Sequence, residues 1–190
     1  MSSFDKDRKW GERVERGFGD FLTTHHDVTL EYSEGKFPDW DMKSDSGVTY
    51  EVKWDAEGRA PWKKMGGIKK ATGNIFVEFF NPKMNRPSGL YTSKADWLVY
   101  VMKSCDKICT EDEVGAYRCI AMVFDRVKLC EFCVGRELRA VNTSRDVKAG
   151  GEANARGWLA PITSLIQEKE ESGFVYEADI THYIALPFLF

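Results

Sequence analysis

The stretch FPDWDMKSDSGVTYEVK, from Phe37 to Lys53, decides the fold that we expect for this chain. Residues 44–47, with the letters SDSG, are typical of a hairpin turn, and the residues on either side predict two short strands. Side chains alternate between the two faces of a strand, so Glu51 and Lys53 point the same way. With a loop of three residues, the antiparallel register places Asp41 directly opposite Glu51.

This hairpin also predicts a metal site. Two carboxylates at close range repel each other unless a cation lies between them. Hard oxygen ligands, with room left for water and phosphate, are the surroundings that Mg²⁺ prefers in proteins. We therefore expect Asp41 and Glu51 to bind Mg²⁺, for which Mn²⁺ can substitute, beside the Lys53 ammonium group. Asp39, two residues before Asp41, is the alternative ligand.

The order of these residues resembles a known nuclease signature. Pro38-Asp39, or Asp41, followed by Glu51-Val52-Lys53 is similar to the PD-(D/E)xK motif. That superfamily includes type II restriction enzymes, Holliday junction resolvases and phage exonucleases. The resemblance implies Mg²⁺-dependent hydrolysis of DNA phosphodiester bonds, with the backbone carbonyl of Val52 as a further metal ligand. It gives Lys53 the role of orienting the attacking water or stabilising charge on the phosphoryl oxygens.

A first helix is predicted from about Asp5 to Leu22. Apolar residues recur there at helical spacing, at Trp10, Val14, Phe18 and Phe21, and Asp5 or Asp7 is the expected cap. The segment WGERVER, residues 10–16, is similar to the first helix of archaeal Holliday junction resolvases. In those proteins a glycine precedes a Glu-Arg pair by four residues, and that glutamate completes the metal site. The matching register implies Glu15 here, and Glu12, one turn away, is the alternative.

A basic segment, RAPWKKMGGIKK at residues 59–70, follows the candidate site. It carries five positive charges and no acid, whereas the whole chain has a formal net charge of −3. Bulk charge therefore does not predict nucleic-acid binding, but a local basic loop after the catalytic strand does. The residues that we expect to contact DNA are Arg59, Trp62, Lys63, Lys64, Lys69 and Lys70.

The next segments complete the resemblance. The β-forming run GNIFVEFF, 73–80, precedes SGLYTSKADWLVYV, 88–101. Their order resembles small phage-type nucleases of the same superfamily, in which this region continues the core sheet. Those proteins favour the aspartate nearer the turn, here Asp41. We expect an α/β fold with a restriction-endonuclease-like core, a mixed β-sheet flanked by α-helices. The core begins with a helix and three antiparallel strands. It is recognisable over about 5–103, and 104–190 complete one nuclease domain, 1–190.

The rest of the chain gives weaker predictions. Its cysteines are Cys105, Cys109, Cys119, Cys130 and Cys133, and an odd number argues against a disulfide framework. A zinc or iron–sulfur site is conceivable, but a helix from Arg126 to Leu138 would turn two of the thiols toward the core. We also expect a helix at Trp158–Gln167, broken near Pro161, and strands or a packed tail at Phe174–Ile180 and Tyr183–Phe190.

Composition and the pattern of apolar residues indicate the cellular compartment and the partners that we expect. Hydrophobic residues make up 43% of the chain and aromatic residues 13%, which favours a packed interior over disorder. No apolar run approaches the ~20 residues of a membrane span, and the start lacks a signal peptide's apolar stretch. We expect a cytoplasmic protein, encoded by a phage if the family likeness extends that far. Its expected partners are DNA and a second copy in a homodimer, without a membrane.

Two other functions fit the same pattern. One is a catalytically inactive DNA-binding protein that keeps the nuclease fold. The other is a different metal-dependent enzyme with carboxylate ligands, such as a phosphatase. The intact set of Asp41, Glu51 and Lys53 favours an active nuclease over the inactive protein. The clustered basic and aromatic residues after Lys53 favour a polymeric substrate over a small one.

Overall fold

The computed structural model describes residues 3–34, 39–55, 62–64, 67–69, 72–104, 118–143 and 155–185, with the backbone alone at 3–8, 62–64, 67–69 and 185. The first elements are α1 (Ser3–His26), β1 (Leu30–Tyr32), β2 (Met42–Ser44), β3 (Thr49–Trp54), β4 (Trp62–Lys64), β5 (Gly67–Lys69), β6 (Asn74–Asn81) and β7 (Arg86–Pro87). They are followed by a 3₁₀ turn (Gly89–Tyr91), β8 (Trp97–Ser104), β9 (Arg118–Asp125), α2 (Arg126–Gly135), β10 (Ala140–Thr143), β11 (Ala155–Pro161), α3 (Ile162–Gln167), α4 (Lys169–Ser172), β12 (Phe174–Asp179) and α5 (Thr181–Ala185).

The described strands form two main sheets. A six-stranded sheet has the order β1-β2-β3-β8-β9-β12, and a four-stranded sheet has the order β10-β11-β6-β7. In the larger sheet β3 and β8 pair in parallel, and the other neighbours pair antiparallel. The expected α/β class, a mixed sheet flanked by helices, is confirmed.

The predicted sheet membership of β6 is wrong. We expected residues 73–80 to continue the core sheet, but β6 pairs with β11 in the smaller sheet. The place beside β3 is taken by β8, in a parallel register that aligns Glu51 with Leu98. Three antiparallel strands do follow the first helix, but they are β1, β2 and β3, and β1 has no counterpart in the sequence prediction.

The first helix lies on one face of the larger sheet. Val14 and Phe18 are completely buried, and they pack in one cluster with Val52 of β3 and Val99 of β8. The predicted amphipathic helix is thus confirmed. Its predicted cap is wrong, because α1 begins at Ser3 and both Asp5 and Asp7 lie inside it.

The opposite face of this sheet carries a second core. Leu98, Tyr100 and Met102 of β8 pack there with residues of the smaller sheet and of α2 and α3. Alternate residues of β8 therefore face opposite layers, as the two-residue period of a strand requires. The larger sheet is the central layer, and its β3 carries the residues of the predicted site.

One prediction for the last third needs correction. Residues 155–161 form a strand, not the start of a helix, and α3 begins only after Pro161. Pairing with β6 decides this, since Trp158 lies opposite Val77 in the ladder. A strand at β12 is confirmed, whereas Tyr183 lies in the short helix α5. Residues 186–190 are outside the described part.

The described cysteines behave as core residues. Cys119 lies in β9 and Cys133 in α2, both buried, and Cys130 is half-buried on α2. Burial raises the pKa of Cys119 and of Cys133 to about 12, so neither is a reactive thiolate at neutral pH. The prediction of core-facing thiols is confirmed for these residues, and Cys105 and Cys109 lie outside the described ranges. No helix in the described part of the chain is long and apolar enough to cross a membrane.

Candidate active site

The hairpin of β2 and β3 has the predicted turn. The N–H of Ser44 donates to the carbonyl of Val48 at 2.8 Å, which leaves a loop of residues 45–47. Gly47 closes it with a φ of 90°, in the left-handed region that glycine adopts without strain. The side-chain hydroxyl of Ser44 accepts from the N–H of Val48. The turn therefore fixes how far β2 extends along β3.

Asp41 comes directly before β2 and lies against β3. Its N–H donates to the carbonyl of Tyr50 at 2.8 Å, and its Oδ2 accepts from the N–H of Val52 at 2.7 Å. Burial raises the pKa of Asp41. The charge of Lys53 and the Val52 hydrogen bond lower it, and Glu51 raises it further. The net direction is upward, so the carboxylate carries an electrostatic cost that a nearby cation would relieve.

Glu51 and Lys53 share one face of β3, as predicted. The Lys53 Nζ forms an ion pair with Glu51 Oε1, and the exposed fractions of the two side chains are 45% and 14%. Desolvation alone would lower the pKa of Lys53. The pairing with Glu51 and the charges of Asp41 and Glu78 outweigh it, so the pKa of Lys53 is raised. Lys53 is therefore a protonated ammonium group at neutral pH.

The helix α1 brings a third carboxylate to this place. Burial and the charge of Asp41 raise the pKa of Glu15 from 4.5 to about 7, against the lowering effect of Lys53. Glu12 adds to the rise, but its own side chain is exposed to solvent. The structure therefore brings Glu15 within the electrostatic reach of both Asp41 and Lys53.

Aromatic contacts hold α1 against the strand that carries Glu51 and Lys53. The ring of Trp10 stacks on that of Trp54 with a centroid distance of 5.4 Å and an interplanar angle of 7°. Further along α1, the ring of Phe18 packs edge-to-face against the ring of Tyr50, with a centroid distance of 6.0 Å. Such aromatic pairs add to the energy of burial, and they flank Glu15 along the helix. The position of Glu15 relative to β3 is thus set by packing on both sides.

The carbonyl of Val52 completes the oxygen set. The N–H and C=O of one residue in an extended strand point to the same side, and the N–H of Val52 points to Asp41. We therefore expect the Val52 carbonyl to face the edge of β3 where Asp41 lies. That is the side on which the nuclease resemblance requires the backbone ligand, whose role stays a prediction.

These donors have the chemistry of a hard-cation site. Carboxylate and carbonyl oxygens suit Mg²⁺ and Mn²⁺, and the raised pKa of both Glu15 and Asp41 marks an excess of negative charge. In the described residues, no three acidic, imidazole or thiol side chains are gathered as a finished metal cage. Lys53 instead neutralises Glu51 directly. The residues fit Mg²⁺ by donor type, and binding it would require Glu51 to share or release its ammonium partner.

Asp39, the alternative ligand, is occupied elsewhere. Its Oδ2 pairs with Lys94 Nζ at 2.9 Å, and its side chain is 53% exposed. The N–H of Lys94 also donates to the Asp39 carbonyl at 3.0 Å. The structure thus groups Asp41, and not Asp39, with Glu51 and Lys53.

The basic segment forms a hairpin where we expected a loop. β4 pairs antiparallel with β5, with Trp62 opposite Lys69 and Lys64 opposite Gly67. Arg59 and Lys70 lie outside the described residues, and only the backbone is described for Trp62, Lys63, Lys64 and Lys69. Their contacts with DNA stay predictions.

Sequence reasoning missed Glu78, on β6. The negative charge of Glu78 acts on Lys53, and its Oε1 accepts from the hydroxyl of Ser88 at 2.6 Å. The only sequence signal was an acid inside an otherwise apolar β-forming run, GNIFVEFF.

Comparison of the chain with protein-family models, with curated proteins and with solved structures finds no match. The likeness to PD-(D/E)xK nucleases therefore rests on the sequence motifs alone.

Proposed function

We propose that this chain is a Mg²⁺-dependent endonuclease of the PD-(D/E)xK type, hydrolysing DNA phosphodiester bonds at a junction or flap. The observation that supports this most is the convergence of Glu15, Asp41, Glu51 and Lys53. Glu15 lies on α1, Asp41 directly before β2, and Glu51 and Lys53 on β3. Burial and the repulsion between carboxylates raise the pKa of Glu15 and of Asp41. A surface hairpin with a merely solvated charged face would not bury these groups.

The carboxylates and one carbonyl have the binding role in this proposal. Asp41, Glu51 and the carbonyl of Val52 would hold Mg²⁺ or Mn²⁺, with Glu15 assisting from α1. An ion held there would polarise the phosphate and lower the pKa of a coordinated water. A nearby cation favours the deprotonated form of Glu15. Because the pKa of Glu15 is about 7, a proton and the metal ion would compete for its carboxylate near neutral pH.

Lys53 acts as a hydrogen-bond donor and a positive charge. Because its pKa is raised, the side chain keeps its proton at neutral pH and cannot take one from water. Its ammonium would orient the attacking water or stabilise the charge that develops on the phosphoryl oxygens. The half-exposed position of Lys53 leaves it accessible to a phosphate.

A second candidate is a catalytically inactive DNA-binding protein with the same fold. The direct ion pair of Lys53 with Glu51 favours it, because this pair already satisfies one ligand oxygen without a metal. Both candidates bind DNA, and both are compatible with a cytoplasmic homodimer, of phage origin if the family likeness holds. They differ only in turnover.

A nicking assay distinguishes the two candidates. Supercoiled plasmid, a four-way junction, a flap and plain duplex are incubated with Mg²⁺, Mn²⁺, Ca²⁺ or EDTA. We expect cleavage with Mg²⁺ and Mn²⁺, binding with little turnover in Ca²⁺, and none with EDTA. A Lys53→Ala preparation, purified in parallel, controls for contaminating nucleases. Binding without cleavage under every condition would favour the inactive protein, and cleavage undiminished in excess EDTA would exclude the metal mechanism.

A further inference from the structure

Three aromatic rings meet where the 3₁₀ turn packs on the smaller sheet. The ring centroids of Phe79, on β6, and Trp158, on β11, are 4.1 Å apart, with an angle of 32° between the ring planes. Tyr91, in the 3₁₀ turn, packs edge-to-face against both rings, at 6.1 Å from Phe79 and 5.8 Å from Trp158. We call these three side chains the aromatic platform.

The aromatic platform rests on the core but is open to solvent. Trp158 packs against the core cluster that contains Ile75 and Val77. Phe79 and Trp158 are half-buried, whereas Tyr91 is 50% exposed. Exposed apolar surface of this kind marks a binding site more often than an isolated exposed side chain does. The rings are thus fixed in place and still accessible to a ligand.

Two arginines lie at the end of β6 that carries Phe79. The ladder places Arg156 of β11 opposite Phe80, and Arg86 of β7 opposite Asn81. The Cζ atom of Arg156 is 6.0 Å from the centroid of the Phe79 ring, and the residue is exposed. A guanidinium in this position can bind a phosphate through its N–H groups while it contacts the ring.

The smaller sheet is basic, although the whole chain has a formal net charge of −3. Its strands, the turn between β6 and β7, and the residue before β10 contain four cations, Lys83, Arg86, Arg139 and Arg156, and one acid, Glu78. Within the described part of the chain none of these four cations forms an ion pair, whereas Lys53 and Arg118 of the larger sheet each pair with a carboxylate. The aromatic platform therefore lies in a local positive field, which attracts a polyanion.

We propose that the aromatic platform binds a single strand of nucleic acid, with an unpaired base stacked on Tyr91 and a phosphate bound to Arg156. Proteins that bind single strands combine a positively charged surface with aromatic side chains, because every base has a π-face. An acidic peptide would match the charge but would not use the exposed rings for stacking. The inference goes beyond the proposed function, since this binding needs neither a divalent cation nor the carboxylates of the candidate site.

Variants of Tyr91 test the stacked base. Binding of a fluorescein-labelled oligothymidylate of about 12 nucleotides, a length that such sites cover, is measured by anisotropy in EDTA, where metal-dependent cleavage plays no part. Tyr91→Leu keeps an apolar side chain against Phe79 and Trp158 but removes the aromatic face, and Tyr91→Phe keeps that face. We expect the Kd to rise roughly 5- to 100-fold in Tyr91→Leu, which corresponds to one stacked base, and to stay near the wild-type value in Tyr91→Phe. Thermal unfolding of each variant checks the fold.

A variant of Arg156 tests the phosphate contact. Arg156→Gln should flatten the log–log dependence of affinity on salt by about 0.7, the value of one single-strand contact. Arg118→Gln removes the same charge from the larger sheet and should leave the slope unchanged. This comparison does not involve the packing of Tyr91, so it stays decisive if Tyr91→Leu fails to fold.

An abasic strand of the same length separates stacking from charge, because it carries the same phosphates without bases. We expect it to bind wild type and Tyr91→Leu equally, and wild type more weakly than oligothymidylate does. Equal affinity of wild type for both strands overturns the proposal, as does an unchanged Kd in Tyr91→Leu or an unchanged salt slope in Arg156→Gln. Displacement of the strand by an acidic peptide of equal charge at the same concentration would assign the surface to a protein partner.

Failure of this inference and failure of the proposed function are distinguishable. If Trp62→Ala weakens binding of oligothymidylate and Tyr91→Leu does not, the strand is held by the hairpin of β4 and β5, and only the aromatic platform loses its role. If Tyr91→Leu weakens binding but wild type cleaves no DNA with Mg²⁺ or Mn²⁺, only the nuclease proposal is contradicted.

Discussion

The carboxylate of Asp41 accepts a 2.7 Å hydrogen bond from the backbone N–H of Val52. This bond crosses from the approach to β2 into the middle of β3, just where the ladder between the two strands ends. It places the acid beside Glu51 although β2 no longer pairs there. Asp39, only two residues earlier, is bound instead to Lys94 at the surface.

The variants Asp41→Asn and Asp39→Asn should therefore differ sharply. We expect Asp41→Asn to lower Mg²⁺-dependent cleavage by roughly two orders of magnitude or more, because a ligand that stabilises the transition state through the ion is lost. Asp39→Asn should retain nearly full activity, since it removes only an exposed ion pair. Initial rates on one DNA substrate across a Mg²⁺ titration measure both. An inactive Asp39→Asn beside an active Asp41→Asn would show that the ligand is Asp39.

Glu15 should make stability depend on pH. The pKa of Glu15 is raised from 4.5 to about 7, so the folded state binds its proton more tightly than the unfolded state does. The contribution of Glu15 to the free energy of unfolding is therefore fully present below about pH 4.5, and it is lost as the pH rises through about 7. Glu15→Gln should be more stable than wild type at pH 8, by about 1–2 kcal/mol after allowance for solvent screening, and nearly equal to it at pH 4.

Urea unfolding at several pH values, without and with Mg²⁺, measures this difference. Glu12→Gln, on the exposed side of the same helix, is the control and should show only a small part of this gain, because Glu12 is a minor cause of the raised pKa of Glu15. Mg²⁺ should diminish the gain of Glu15→Gln at pH 8, because a nearby cation stabilises the carboxylate. A pH-independent difference between wild type and Glu15→Gln would place the effect in packing and not in ionisation.

Lys53→Ala should separate binding from turnover. We expect cleavage to fall by roughly 10²–10³-fold or more, because the ammonium acts on charge that develops in the transition state. DNA affinity in Ca²⁺ and the fold should change little. Lys94→Ala removes a more exposed lysine, from the Asp39 pair, and serves as the control. Equal losses of binding and cleavage in Lys53→Ala would show that this lysine simply holds the DNA.

The basic hairpin of β4 and β5 should control the salt dependence of binding. Each phosphate contact releases counterions, with a log–log slope of about −0.9 per duplex contact or −0.7 per single-strand contact. Replacing Lys63 and Lys64 with alanine should flatten the slope by roughly one to two units, equally for different DNA sequences. Lys128 and Lys169, replaced together on α2 and α4, are the control pair. An unchanged slope in the Lys63 and Lys64 variant would show that DNA is held elsewhere.

A variant of Trp62, in the same hairpin, should show whether the bound DNA has exposed bases. A base stacked on an indole contributes on the order of 1–3 kcal/mol to binding. If the substrate is a junction or flap, Trp62→Ala should weaken binding to it far more than to plain duplex, because only the former exposes bases. Competition binding in Ca²⁺ measures the difference. Equal affinities of wild type and variant for all substrates would mean that Trp62 contributes only to packing.

Local patterns were sufficient to predict the parts of the site that depend on neighbouring residues. Helical spacing identified the face of α1 that carries Val14 and Phe18, and the turn sequence fixed the loop at residues 45–47. From strand alternation it followed that Glu51 and Lys53 share a face. Each of these features is decided within a few residues of the chain, and each is present in the structure.

Features that depend on distant pairing could not be read in the same way. Whether Asp39 or Asp41 joins the site depends on Lys94, more than fifty residues further along the chain. Residues 155–161 form a strand because they pair with β6, whereas their local sequence also suits a helix. Glu78 was missed for a related reason: its strand comes near β3 through tertiary contacts, such as that of Phe76 with Asp55.

The stack of Trp10 on Trp54 gives the molecule a built-in optical reporter. Two nearly parallel indoles 5.4 Å apart couple their excited states, so their circular dichroism and fluorescence depend on the separation of the rings. One indole travels with the helix that carries Glu15, and the other follows Lys53 directly along β3. Any step that moves the helical carboxylate relative to the strand should therefore change the protein's own absorption and emission, and it can be followed in real time without an attached dye.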